Sequence, residues 1–216
     1  MPTSFHRPIA DPIAFCRTIG FAIASSLIAT HASAQMPAVV PDEIIELLLR
    51  DKIVVMQELR PEGALEGALT IGYVIFDLPR DHVYELLTQT ERQIEFRSEL
   101  TSITRHRMSA KGPVDEQRMK IMFRRYVYRL KFEFDPERHH IQWNLDESFD
   151  NDFRRVRGSW DLYALEDGRT LGRTGASVDV GPGVPVFLQD WLTRKNLSKS
   201  MERVQRWVNS GGHDRQ

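Results

Sequence analysis

Hydrophobic and polar positions alternate along the second half of the chain, most clearly between residues 126 and 134. A period of two is typical of a β-strand that has one buried side and one side in water. In this segment one side is aromatic or aliphatic and the other is mainly charged. The pattern therefore predicts a strand of an antiparallel meander. The buried side contains Tyr126, Tyr128, Leu130, Phe132 and Phe134.

Short segments rich in Gly, Pro, Asp and Ser separate the alternating stretches, as expected for turns between neighbouring strands. Two further strand candidates, joined by a turn that contains Pro and Gly, precede the meander. The strand candidates are residues 52–59, 67–78, 102–108, 116–123, 126–134, 140–148, 153–165 and 171–180.

The period changes in a few places that predict helices. Residues 78–89 begin with a Leu-Pro pair suited to a first helical turn, and residues 90–100 predict a second short helix. Residues 41–50 are compatible with either a short helix or an apolar strand. The last helix is predicted from about Pro185 to Asn209.

The apolar positions of this last helix fall into two sets that point in different directions around its axis. The change occurs near Arg194. A bent core helix explains it best. The alternative is a first half that packs separately as a gate or as a tip that touches a membrane.

The order of these elements predicts an α+β fold. The meander needs a cover for its apolar face, and only the last helix is long enough to provide one. We expect a curved antiparallel sheet wrapped around a long C-terminal helix, with two short helices after an early strand. The expected divisions are a lead-in at 35–51, one domain at 52–209 and a disordered tail at 210–216.

The first 34 residues resemble a secretory signal peptide. Arg7 and Arg17 precede an apolar stretch too short to span a bilayer, and Ala-Ser-Ala follows, with cleavage expected after Ala34. The single cysteine, Cys16, would be lost with this segment. We therefore expect a periplasmic or secreted protein. If Met36 is the true start, the protein is cytoplasmic.

Charge and composition argue against several function classes. The formal net charge is −1, and basic residues are interspersed with acidic ones, so we expect no nucleic-acid partner. His139 and His140 are adjacent and would point to opposite faces of a strand, while His82 and His106 lack companions at metal-ligand spacing. We predict no metal site, no cofactor and no catalytic residue.

Four segments carry a family resemblance: residues 76–103, 153–165, 168–180 and 183–204. Together they resemble the START-like, or SRPBCC, superfamily and its helix-grip fold. The closer likeness is to the polyketide cyclase/dehydrase and coenzyme Q-binding START-like group. The second short helix departs from the family pattern, because it lacks the usual Pro after Phe96.

The resemblance implies a cavity between sheet and last helix that holds a small hydrophobic molecule, since family members bind lipids, sterols, quinones or polyketides. A filled core is the alternative. Phe187, Leu188 and Trp191 are the candidate lid, and Arg157 is a candidate polar anchor. The candidate lining residues are Ile121, Phe123, Tyr126, Tyr128, Leu130, Phe132, Trp143, Trp160 and Val178.

Three functions follow as hypotheses. The first is a carrier or sensor of a lipid, isoprenoid quinone or sterol-like ligand, with transient membrane contact. The second is a cyclase/dehydrase that acts on a polyketide-like substrate, for which Tyr126, Tyr128 and Arg157 are the only inward acid–base candidates. The third is a partner-binding module with a filled core.

Overall fold

The strands predicted from the alternating pattern form one sheet. A computed structural model of the chain describes residue 40 and residues 42–51, 53–58, 69–121, 123–179 and 194–215. In this part of the chain the strands are β1 (Ile53–Glu58), β2 (Leu69–Phe76), β3 (Leu100–Met108), β4 (Pro113–Ile121), β5 (Arg124–Asp135), β6 (His140–Leu145), β7 (Arg155–Ala164) and β8 (Thr170–Asp179). The helices are α1 (Asp42–Asp51), α2 (Arg80–Thr88), a 3₁₀ helix (Thr90–Glu95) and α3 (Arg194–Asn209).

Among the described residues the eight strands follow the order β1-β2-β8-β7-β6-β5-β4-β3, and every neighbouring pair is antiparallel. Strands β3 to β8 are a meander, as predicted. Strand β2 pairs with β8, so α2 and the 3₁₀ helix connect strands that lie far apart in the sheet. The fold is α+β, with a curved antiparallel sheet and a C-terminal helix.

Helix α3 covers one face of the sheet. Its buried residues are Met201, Val204, Trp207 and Val208, at helical spacing. They join a core that contains the alternating residues of β5. Gly72 on β2 allows this close approach, because a Cβ atom there would lie 3.1 Å from the terminal methyl carbon of Met201.

The carboxyl-terminal end of α3 is fixed by Trp207, which is 1% exposed. Its indole Nε1 donates a hydrogen bond to Glu95 at 2.9 Å. Its ring lies 4.8 Å from that of Phe96, centroid to centroid, and the Arg92 guanidinium lies 5.0 Å from its centroid. This combination of apolar burial, a charge-assisted hydrogen bond and a cation–π contact ties α3 to the 3₁₀ helix.

A second apolar cluster lies on the other face of β2. The segment that could have been a helix or a strand is helix α1, and it buries Ile44 and Leu48 against Tyr73, Ile75 and Leu171. Strand β2 is therefore buried on both faces, which explains why its sequence is a nearly continuous apolar run.

Several sequence predictions concern residues outside the described ranges. These are the signal peptide at 1–34 and the part of the last helix expected before Arg194, which includes Phe187, Leu188 and Trp191. Residues 210–215, which belong to the predicted tail, lie inside the described ranges and make contacts. Gly212 accepts a hydrogen bond from Arg92, and Arg215 lies 3.9 Å from Glu95. None of the helices described is long and apolar enough to cross a membrane.

Asp146 stabilises the loop after β6 as a buried carboxylate with a cationic partner. It is 1% exposed, and its Oδ1 lies 3.0 Å from Lys131 Nζ and 2.7 Å from Ser148 Oγ. Burial would raise the pKa of Asp146, but the hydrogen bonds from Ser148 and Lys131 and the charge of Lys131 outweigh it. Together they lower its pKa to about 2.

Asp146→Asn is expected to lower the free energy of unfolding by about 2 kcal/mol at neutral pH. Because the folded-state pKa is depressed, this stabilisation is present above about pH 4 and is lost as the pH falls towards 2. Urea unfolding of both proteins across this pH range measures the difference. Asp167→Asn is the control, because the Asp167–Arg169 pair is solvent-exposed. A difference that stays constant down to pH 2 would contradict the prediction.

Candidate ligand cavity

A cavity of about 580 Å³ lies between the sheet and α3. Its walls are mostly aliphatic and aromatic side chains that strand alternation directs towards the helix. A filled core, which was the alternative to a ligand cavity, would not leave an opening of this volume. Among the apolar residues that border it are Met119 on β4, Ile141 on β6, Phe153 before β7 and Val204 on α3.

Most residues predicted from sequence to line a cavity do border this one. They come from five neighbouring strands, and alternation explains why they converge. They are Ile121, Tyr128, Leu130, Phe132, Trp143, Trp160 and Val178.

Phe123 was expected in the lining, but it is 93% exposed. Continued alternation of β4 would have turned it inwards with Met119 and Ile121. The strand ends first, because Ile121 pairs with Arg124 across the β4–β5 hairpin. Phe123 therefore belongs to the turn and points into solvent.

Tyr126 is buried on the expected face but does not border the cavity. Its ring stacks on Phe153, with centroids 5.3 Å apart and an angle of 13° between the rings. Phe153 borders the cavity, so Tyr126 lies behind it. The Tyr126 hydroxyl has no hydrogen-bond partner in the part of the chain that the structure describes.

Arg157 borders the cavity at β7, but alternation argues against a role as its inward polar anchor. Val156 and Trp160 face the cavity, and Gly158 lies under the ring of Trp143 on that same side. Alternation therefore assigns Arg157 to the opposite register of β7 from Val156 and Trp160, and its residue pairs with Ser177 across the two strands.

The polar side chains that face the interior were not predicted. Tyr128 donates a hydrogen bond from its hydroxyl to Gln117 Oε1 at 2.7 Å. Gln117 Nε2 and an Arg97 guanidinium nitrogen both donate to Gln93 Oε1, at 3.4 and 3.3 Å. Arg97 Nε also donates to Glu99 at 3.1 Å. We call these five residues the polar cluster. All except Gln117 border the cavity, and Gln117 is fully buried behind Tyr128.

Burial keeps Tyr128 protonated, against the effect of its neighbour Arg97. Burial raises the pKa of the Tyr128 phenol, and the charge and hydrogen bond of Arg97 offset only part of that effect. Burial would lower the pKa of Arg97, but Tyr128 and Glu99 more than compensate, so its pKa is raised. At neutral pH the cluster therefore presents a neutral phenol and a guanidinium paired with a carboxylate.

One signal for this cluster was present in the sequence. Gln117 falls in the inward register of β4 beside Met119 and Ile121, and a polar residue in an apolar register requires a buried partner. The partners themselves come from the 3₁₀ helix, the loop after it and β5, so no local pattern could identify them.

The adjacent histidines have separate partners. His139 Nε2 lies 2.7 Å from Asp81, and His140 Nδ1 lies 2.7 Å from Asp161. Within the described ranges, no three His, Cys, Asp or Glu side chains are placed to hold a metal ion.

The sequence matches no protein-family model and no curated protein. Solved structures do match. A START superfamily protein from Mycobacterium smegmatis aligns with a TM-score of 0.55 at 15% identity, over 66% of this chain and 97% of its own. The chain has a START-like helix-grip fold.

Two more solved structures align with the chain. A protein from Thermus thermophilus aligns with a TM-score of 0.55 at 18% identity, over 66% of this chain and 97% of its own. The di-domain ARO/CYC StfQ from the steffimycin biosynthetic pathway aligns with a TM-score of 0.50 at 17% identity, over 64% of this chain and 44% of its own. At these identities the likeness establishes the fold and no activity.

One wall of the cavity depends on a glycine. The Trp143 ring lies against Gly158 on the neighbouring strand, where a Cβ atom would come within 2.2 Å of Trp143 Cζ2 and 2.7 Å of the Gly175 carbonyl oxygen. Both contacts are too short for real atoms, so a side chain at this position must displace the ring or the strand.

Gly158→Ala is expected to lower the free energy of unfolding by about 1–3 kcal/mol, because overpacking outweighs the usual gain from replacing a strand glycine. It should also change the tryptophan emission spectrum as Trp143 moves. Chemical unfolding followed by fluorescence measures both effects. Ser159→Ala on the same strand faces the other way and is the control. If Gly158→Ala left both the stability and the emission spectrum unchanged, the close contact between Trp143 and Gly158 would be contradicted.

Proposed function

We propose that the protein binds a small hydrophobic molecule between the sheet and α3. The observation that supports this proposal most directly is the cavity of about 580 Å³, a volume within the usual range of small-molecule sites. Its apolar walls would stabilise a ligand by removing apolar surface from water. The START-like fold is consistent with this role. The proposal includes export to the periplasm or the medium, based on the signal-like pattern of residues 1–34.

The polar cluster favours a ligand with an uncharged oxygen at one end. The Arg97 guanidinium has N–H groups beyond those that it donates to Gln93 and Glu99, so it can offer hydrogen bonds, but Glu99 already balances its charge at 3.1 Å. The single hydroxyl proton of Tyr128 is donated to Gln117. A carboxylate or phosphate entering here would lie close to Glu99 without a free cation in the cluster. A quinone carbonyl or a sterol-like hydroxyl requires only a hydrogen bond. We therefore infer that the group at the polar cluster is uncharged, as in an isoprenoid quinone or a sterol-like ligand. Lys120 and Lys199 border the cavity outside this cluster.

The direct experiment is to identify what the protein carries. Native mass spectrometry and organic extraction of protein purified from its own host should reveal an apolar molecule. Titration with a short-chain ubiquinone should quench tryptophan emission, because Trp143 and Trp160 border the cavity. A fatty acid of similar size should bind more weakly. Extracts without any apolar molecule, together with flat titrations, would refute the proposal.

Ala176→Phe is expected to weaken ubiquinone binding by about tenfold or more, equivalent to about 1.4 kcal/mol. Ala176 borders the cavity from β8, so a phenyl ring there would occupy ligand volume. Thr104→Phe places the same ring on the exposed side of β3 and is the control. Fluorescence titration gives both dissociation constants. Equal affinities would show that the ligand binds elsewhere.

A cyclase/dehydrase activity on a polyketide-like substrate is a second candidate, supported by the polar cluster. Tyr128 has a raised pKa, so at neutral pH it would act as a proton donor and not as a base. A substrate oxygen would have to replace Gln117 as the acceptor of its hydroxyl proton. The other acid–base candidates are less well placed, because Tyr126 lies behind Phe153 and Arg157 falls in the opposite register of β7 from the cavity-facing residues.

Tyr128→Phe separates the two candidates. If the protein is a binding protein, the variant should keep ligand affinity within about tenfold, the cost of one hydrogen bond. If it is an enzyme, turnover of a polyketide-like substrate should fall by about a hundredfold or more, with substrate affinity retained. Thermal unfolding must be measured in parallel, because the loss of the partner of Gln117 should cost about 1–3 kcal/mol.

A further inference from the structure

The turn between β4 and β5 exposes an aromatic side chain among cations. Phe123 is 93% exposed, the largest fraction of any large hydrophobic residue in the described part of the chain. Lys120, Arg124 and Arg125 are also exposed and lie at the adjoining ends of the two strands. We call these four residues the basic tip.

The cations of the basic tip are available for a partner. Within the described ranges, Lys120, Arg124 and Arg125 form no ion pair, whereas Arg118 and Arg129 on the same two strands both pair with Glu116. Arg124 lies over the ring of Tyr126, 5.8 Å from its centroid, which leaves its charge uncompensated.

The basic tip is continuous with the cavity wall. Lys120 and Ile121 both border the cavity, and the Lys120 backbone NH donates to the Glu99 carbonyl at 2.8 Å. Lys199 of α3 is a further exposed cation that borders the same cavity. A surface that engaged the tip would therefore lie beside the residues that enclose the cavity.

We propose that the basic tip docks on an anionic lipid bilayer. An aromatic ring at the apex can enter the interfacial region, while flanking Lys and Arg side chains contact lipid phosphates. A protein partner fits less well, because one hairpin turn offers far less area than a stable protein interface requires. The proposal concerns the surface alone and does not depend on whether the cavity holds a ligand.

The test is co-sedimentation of the purified full chain with phosphatidylcholine vesicles, with and without phosphatidylglycerol, at low and high salt. Binding is expected only to the anionic vesicles and should weaken as salt rises. Arg124→Glu/Arg125→Glu should weaken it by about 25-fold or more, at about fivefold for each cation removed. Phe123→Ser should weaken it by about tenfold through the loss of apolar insertion.

Met108→Ser/Arg107→Glu is the matched control. It changes an exposed apolar residue and its basic neighbour at the end of β3, where Met108 is 64% exposed. Anionic vesicle binding that this control leaves intact, and that the tip variants lose, would support the proposal. It is overturned if no vesicle binding occurs at low salt, if the tip variants bind like the parent protein, or if the control loses as much. Circular dichroism of each variant confirms that the fold is retained.

Discussion

Helix α3 is held at one end, and this constraint determines what the sheet can enclose. Trp207 packs on Phe96, donates to Glu95 and lies beneath Arg92. Nearby, Gln205 donates to the Ile75 carbonyl at 2.7 Å, and Asn209 accepts a hydrogen bond from the Asp77 backbone NH. These contacts fix the carboxyl-terminal half of the helix to the 3₁₀ helix and to the end of β2.

The cavity follows from this seating. Helix α3 packs most closely on β1 and β2, whereas the large inward residues of β5, β6 and β7 lie further along the curved sheet. Phe132, Trp143 and Trp160 therefore border open volume on one side. Interiors are normally packed to crystal density, so an opening of this size among apolar side chains is a feature that a ligand can stabilise.

Polar groups beside an apolar cavity would destabilise the fold if they had no hydrogen-bond partners. Instead, Tyr128, Gln117, Gln93 and Arg97 satisfy one another through a connected set of hydrogen bonds, and Glu99 balances the guanidinium. The arrangement offers hydrogen bonds to an uncharged group with little net charge. On the other face of the sheet, α1 covers β2, so the apolar residues of that strand are buried on both faces.

The sequence by itself determined the strands, their inward faces and the α+β class, because a period of two is a local property that survives folding. Most of the predicted lining followed from that alternation. Only the tertiary structure decided where alternation stops, and this is why Phe123 points into solvent while Ile121 borders the cavity. It also decided that Tyr126 lies behind Phe153. The polar cluster joins residues from the 3₁₀ helix, the loop after it, β4 and β5, which meet only when the chain folds. A pattern along the chain records neighbours in sequence, whereas a site is made of neighbours in space.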